Sequence, residues 1–240
     1  MNESPSNDKE ASCVALLQKQ RSHVLFVLSN PRTGQESAFL TWYRDDCKKA
    51  ALNITSVLSA RHYVQHDVDI TRGRWPRLPF RYLALYEISV DGAEAASTMI
   101  ERVTLLHADR VDAEAPATWL YYPVSEKVGH APSAQPSLLT IAFANSLPGY
   151  ENEFREWYAT RHIRHALQIP ALVSGQCFER TQFQRPGVCD ASYAMIALYE
   201  QQGTPEAIIE SFASLPEGTL HFPTLDLAAS RFAESVYRPV

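Results

Sequence analysis

The first sustained apolar run, HVLFVLSN at 23–30, has the β-branched and aromatic make-up of a strand and stops at the turn signal NPRTG. The period of the pattern then changes. From Glu36 to Leu52, the positions Phe39, Trp42, Tyr43, Cys47 and Ala50 or Ala51 fall at helical spacing, with Glu36 near the positive end of the helix dipole. That pattern predicts an amphipathic helix. SVLSARHYVQ then reads as a strand, WPRLPF as a Pro-rich loop and RYLALYEIS as another strand, followed by a helix from Gly92 to about Leu106 and a strand at TWLYYPV. The same series returns downstream as SLLTIAFAN, a helix over Glu151–Leu167, ALVSGQCFER, SYAMIALYEQ, a helix from Pro205 to about Ser214, and RFAESVYRPV. Both halves therefore read βαββαβ.

The residues repeat as well as the pattern. Residues 30–59 align without a gap on 145–174 at a constant shift of 115, with ten identities in thirty positions, among them Trp42–Tyr43 on Trp157–Tyr158. LALYE at 83–87 returns as IALYE at 196–200 with the shift reduced to 113, which places a length difference in the intervening loop. This divides the chain into a polar N-terminal extension at 1–22, a first repeat at 23–124, a linker at 125–137 rich in Pro, Ser and Ala, and a second repeat at 138–240. A four-stranded sheet with both helices on one face leaves its other face uncovered and partly apolar. The sister repeat is the natural cover, so the two antiparallel sheets are expected to pack face to face within one chain.

Composition narrows the partners. With 45% hydrophobic and 20% charged residues the chain can bury a core, and a net charge of -5 with scattered Lys and Arg gives no nucleic-acid footprint. The polar start has no basic n-region ahead of an apolar run, and no stretch approaches the ~18 apolar residues of a spanning helix. A cytoplasmic protein without membrane partner is expected. Cys13, Cys47, Cys177 and Cys189 form no CxxC pair and read as reduced thiols.

The stretches SLPGYENEFREWYATRHIRHALQIPALVSGQCFER and NPRTGQESAFLTWYRDDCKKAALNITSVLSARHYV resemble the EthD-like branch of the dimeric α/β-barrel superfamily. There an initial strand leads through a short turn to a helix with an aromatic pair followed by histidine, then a proline-containing turn and a second strand. The resemblance covers nearly all of both halves. It implies an α+β fold of tandem ferredoxin-like units, joined as an intrachain dimeric α/β barrel with a small-molecule pocket between helix and sheet. It does not fix the reaction, because relatives include cofactor-free monooxygenases, lactone isomerases, polyketide cyclases, decarboxylases and tandem haem proteins. The first copy departs from the pattern where Cys47 stands for His162 and Thr55 for Pro170. The second pocket is accordingly the expected site of chemistry.

Individual residues carry two readings each. His162, four after Tyr158 and eight after Phe154, lies on the sheet-facing stripe of its helix, where burial and the helix C-terminus pull its pKa in opposite directions. It is either an acid/base group titrating near neutrality or a core histidine tied to a carbonyl. Tyr158 could donate to a developing oxyanion, but Tyr43 repeats it and fold explains that equally well. Trp157 and Tyr199 read as packing residues or pocket walls, like their counterparts Trp42 and Tyr86. Gln176 and Cys177 correspond to Arg61 and His62, and alternation lets only one of each pair face the helices. Arg61 with His62 could hold an anion in the first half, beside Cys47; a solvated strand edge is the alternative. Metal binding has little support: His162 and His165 lack a third ligand at helical spacing, and His62 and His66 would sit about 13 Å apart on a strand. No nucleotide-loop or nucleophile-elbow motif occurs.

The expectation is a cofactor-independent isomerase, cyclase or lyase acting on a small aromatic or polyketide-like substrate, with His162 as acid/base and Tyr158 assisting. The alternatives are a cofactor-free monooxygenase, a haem-binding tandem barrel with a histidine ligand, and a non-catalytic small-molecule-binding protein. A homodimer of the two-repeat chain stays open.

Overall fold

The computed structural model of the chain describes residues 22–112, 117–133, 137–184, 193–214 and 232–240. The first half contains β1 (His23–Ser29), α1 (Glu36–Leu52), β2 (Val57–Gln65), β3 (Tyr82–Ile88), α2 (Gly92–Ala108) and β4 (Ala117–Pro123). After a two-residue β5 (Val128–Gly129), the second half contains β6 (Leu138–Ala144), α3 (Glu151–Trp157), a π-helical turn (Tyr158–His162), α4 (Ile163–Ala166), β7 (Leu172–Arg180), β8 (Met195–Gln201), α5 (Pro205–Ser214) and β9 (Phe232–Pro239). The order βαββαβ thus occurs twice. Most of the polar extension, Cys13 and Cys189 lie outside the described residues.

The strands run antiparallel in the order β4-β1-β3-β2-β9-β6-β8-β7, with β4 pairing β7 and β5 appended to the other side of β7. The two four-stranded sheets therefore face each other and also join at their edges. One seam pairs Tyr63 with Pro239 and Gln65 with Tyr237; the other pairs Tyr121 with Arg180 and Pro123 with Phe178. Closure pairs strand edges that would otherwise be open to other chains. Alternation along each strand sorts the side chains into three cores. Val24, Phe26 and Leu28 of β1 point into the barrel and meet Leu139, Ile141 and Phe143 of β6. Leu25 and Val27 point outward to α1 and α2, and Ala142 and Ala144 point outward to α3 and α4.

The identities shared by the halves sit at the entrance to each first helix. Gly34 and Gly149 adopt φ of 79° and 86°, where a side chain would be strained, and each donates its N–H to the first-turn glutamate, Glu36 or Glu151, at 3.1 Å. Asn30 Oδ1 accepts from the Arg81 N–H at 2.8 Å, and Asn145 Oδ1 from the Ala194 N–H at 2.7 Å. These matched residues fix how strand passes into helix.

Three features differ from the sequence reading. The helix expected over Glu151–Leu167 is interrupted by the π turn, a wider turn that tends to occur at functional positions. The segment read as a linker is bonded to β7 at its start: Ser125 Oγ accepts the Cys177 N–H at 2.9 Å, and Gly129 lies so close to Val173 that a Cβ would sit 2.2 Å from its carbonyl oxygen. The loops between second and third strands also cross between halves. Ile70, with Val68 and Trp75, packs in the helix–sheet core of the second half, while Phe183 packs on that of the first. No helix among the described residues is long and apolar enough to cross a membrane.

Candidate functional site

Each half holds a cluster of polar rings between its helices and its sheet. In the first, β2 aims His62 at α1 and β3 aims Tyr86 beside it. His62 Nδ1 lies 2.7 Å from the Tyr43 carbonyl oxygen, which can only accept, so Nδ1 carries the proton and Nε2 accepts the Tyr86 hydroxyl at 3.1 Å. The single Tyr86 proton is then used. His107 Nε2, 2.9 Å from the same oxygen, must donate to it, which leaves the buried His107 Nδ1 a bare lone pair without a hydrogen-bond partner. Cys47 Sγ lies 3.6 Å from both Tyr86 Oη and His107 Nε2. Burial keeps this group neutral: it lowers His62 to about 4 and His107 to about 3, and pushes the Cys47 thiol up to about 12.

In the second half the imidazole comes from the helix. His162 Nε2 pairs with Tyr199 Oη at 2.7 Å, and its ring stacks on Tyr158 at 4.4 Å between centroids, with Trp157 at 5.1 Å on the partly exposed side. Cys177 on β7 donates its thiol to the Tyr158 carbonyl oxygen at 3.2 Å. Tyr199 fits because Gly175 lies opposite its ring, where a Cβ would stand 2.8 Å from Cδ1. Burial, with His165 adding to it, lowers His162 to about 3, so burial outweighs the helix terminus and His162 does not titrate near neutrality.

The two clusters are related by an exchange. Cys47 on the first helix corresponds to His162, and His62 on the second strand to Cys177. In both halves the strand residue bonds the carbonyl of the helix tyrosine, Tyr43 or Tyr158, and in both the imidazole stacks on that tyrosine, at 4.4 Å each time. The imidazole also pairs with the tyrosine of the LYE strand in both. Histidine and cysteine have traded backbones while the rings kept their places. The expectation that the mismatches at Cys47 and Thr55 set the second pocket apart is corrected at Cys47: the first half supplies its imidazole through His62.

What does set the second half apart lies one strand further on. Val27 pairs with Thr118 in the first half, and its counterpart Ala142 pairs with Glu234 in the second. A smaller residue and a carboxylate thus replace Val27 and Thr118 on the helix-facing side. Beside Glu234 lies a cavity of about 320 Å³, walled by Ile70, Trp75 and Ile209 with Arg72 and Arg74 at its rim. Glu234 is half-buried; burial, with the charge of Asp69 adding to it, raises its carboxyl to about 7. Tyr158 and Tyr199 are held far above the ordinary phenol value, mainly by burial and in smaller part by the Glu234 charge. Carboxyl and phenols are thus within electrostatic reach of one another, with His162 bonded to Tyr199, although none of the three rings lines the cavity itself. The sequence reading missed Glu234; its only signal was that it is the one acidic residue in the last strand segment, RFAESVYRPV.

Arg61 and Gln176 fall on the other face of the sheet, lining a smaller cavity of about 140 Å³ at one mouth of the barrel. There Arg61 pairs with Glu87 at 3.5 Å and Lys127 with Glu200 at 2.7 Å, while Gln176 donates to the Ser125 carbonyl. Arg61 and His62 consequently point to opposite sides of β2, and the expectation that they bind one anion together is corrected by strand alternation.

No protein-family model matches the chain, and no curated protein matches it in sequence. Its fold does match solved structures. A candidate monooxygenase from Fusobacterium nucleatum subsp. nucleatum superposes with a TM-score of 0.58 at 6% identity, over 91% of this chain and 92% of that one. A candidate chlorite dismutase gives 0.54 at 11% identity over 92% and 95%, and an anthrone oxidase-like protein 0.51 at 9% over 92% of each. The fold is the ferredoxin-like dimeric α/β barrel. At these identities the likeness concerns architecture.

Proposed function

We propose that the chain, read as two fused EthD-like copies, is a cytoplasmic cofactor-independent enzyme whose second half moves a proton on a small aromatic or polyketide-like molecule. The observation that carries this reading is Glu234, a carboxyl at about 7 in the wall of a cavity that it shares with Ile70, Trp75 and Ile209, close to the value at which one group both accepts and returns a proton efficiently at neutral pH. The acid/base role expected of His162 moves to Glu234. His162 is a positioning residue that holds Tyr199, and the phenols of Tyr158 and Tyr199 stay protonated in the same neighbourhood.

A proton returned to another atom of the ligand completes an isomerisation. Removal of that proton from carbon leaves a carbanion, and its capture by dioxygen in place of reprotonation is the oxygenase reading, which the structural likeness to a candidate monooxygenase and an anthrone oxidase-like protein favours. His162 does not suit a haem iron, because its Nε2 is engaged by Tyr199 and its ring lies 4% exposed between Tyr158 and Trp157. The test is deuterium uptake from D₂O into anthrone and 1,3-diketone probes, followed by ¹H NMR with an oxygen electrode in parallel. Enzyme-dependent exchange that Glu234→Gln abolishes supports proton transfer, and oxygen uptake selects the second reading. Exchange that persists in Glu234→Gln refutes the assignment, and tight probe binding without exchange or oxygen uptake points to a binding protein.

A further inference from the structure

Resting on the proposed function of the second-half cavity, we infer that this cavity selects an anionic ligand: a flat ring system bearing a carboxylate, its ring against Trp75, Ile70 and Ile209 and its charge at Arg72 and Arg74. The chain carries a net charge of -5, yet these two guanidinium groups line one cavity. Neither forms an ion pair among the described residues. They do not neutralise Glu234 either, since its carboxyl is raised despite their place in the same cavity. An apolar wall with a few fixed polar groups is the usual make-up of a small-molecule site, and guanidinium pairs with carboxylate through two parallel hydrogen bonds.

The segment that carries both arginines is built to hold them. Asp69 Oδ1 accepts the Thr71 N–H at 2.9 Å and its hydroxyl at 2.7 Å, and Oδ2 accepts the Gly73 N–H at 2.7 Å. The Glu234 N–H donates to the Pro76 carbonyl at 3.2 Å, tying the loop to the strand that bears the carboxyl. Trp75 stacks edge-on against Phe232 at 5.2 Å, and the Arg74 guanidinium lies over the Trp75 ring at 5.4 Å. Arg72 itself stands at φ 53°, a left-handed conformation uncommon for a branched-off long side chain in place of glycine. Backbone outliers of this kind cluster at active sites and ligand clamps. Because the loop belongs to the first half and Glu234 to the second, the ligand's charge and its reacting carbon are read by opposite halves of the chain.

The probes are 2-naphthoate and its neutral analogue 2-naphthamide, titrated calorimetrically into the full chain. The expected result is that naphthoate binds more tightly than naphthamide, and that Arg72→Gln with Arg74→Gln weakens naphthoate about tenfold or more. Naphthamide should change by less than about twofold, which shows that the cavity itself is intact. Naphthamide binding as tightly as naphthoate, an equal loss for both probes, or no binding of either at millimolar concentration overturns the inference. Glu234→Gln should keep naphthoate binding while abolishing deuterium exchange. Loss of exchange without any arginine effect therefore sinks the anion inference alone, and arginine-dependent binding without exchange sinks the proposed reaction alone.

Discussion

Acidification is the perturbation to which the buried imidazoles respond most directly. His62, His107 and His162 are held by burial at about 4, 3 and 3, against about 6.5 in an unfolded chain. A base with a depressed folded value leaves the unfolded state holding the extra proton. Its stabilising contribution is complete above about pH 6.5 and is lost as pH falls toward the folded value. The loss is about 1.4 kcal/mol per pH unit for each ring, or about 4 kcal/mol per unit for three. Glu234 acts with the opposite sign, because its carboxyl is raised to about 7 from 4.5. Its ionisation penalty is largest above pH 7 and is relieved on acidification, returning about 1.4 kcal/mol per unit. The net slope between pH 6.5 and 4.5 is about 2.7 kcal/mol per unit, so two units remove about 5 kcal/mol, as much as the whole stability of a marginal domain. The carboxyls of Asp69 and Glu200 are held below their ordinary value in spite of burial, by the Thr71 and Gly73 hydrogen bonds and by Lys127 and Ser174, and their contributions are lost only below this window. Urea unfolding monitored by circular dichroism at half-unit steps measures the slope. Glu234→Gln should steepen it and His107→Gln should flatten it by one ring's share. A stability that stays level from pH 6.5 to 4.5 would refute the burial of these rings in neutral form.

Two further outcomes follow from the clusters. Gly175→Ala places a Cβ 2.8 Å from Tyr199 Cδ1, and Tyr199 is too enclosed to yield freely, so urea unfolding should show a loss of about 1–3 kcal/mol; an unchanged midpoint would mean that the ring has room. The exchange between halves is tested by His162→Cys with Cys177→His. Each single change should cost about 1–3 kcal/mol by stranding a buried partner, and the double should recover about 1 kcal/mol or more by rebuilding the first-half arrangement. Strict additivity would show that the two clusters are not interchangeable.

The fold was legible because its signals are local. Gly34 with Glu36 and Gly149 with Glu151 repeat a turn and a helix start, and the apolar runs HVLFVLSN and SLLTIAFAN mark strands buried on both faces. The Cys–His exchange was also present in the aligned pairs 47 with 162 and 62 with 177, but it takes on meaning only once both positions are known to reach the same tyrosines. Glu234 was hidden for a different reason. Its counterpart Thr118 is found through strand register, Val27 to Thr118 and Ala142 to Glu234, and register across a barrel is a long-range property that no window of sequence contains. The same holds for the loop at 69–75, which lies in the first half of the sequence and walls the cavity of the second.

The ionisation of Glu234 decides between a proton-transferring site and an ordinary surface carboxylate. With ¹³C-labelled glutamate, the resonance missing from Glu234→Gln assigns Glu234, and its chemical shift can be followed against pH in the full chain. The expected midpoint is at about 7, with the carboxyl half protonated at neutral pH. A midpoint near the ordinary 4.5 would contradict a proton-transferring site.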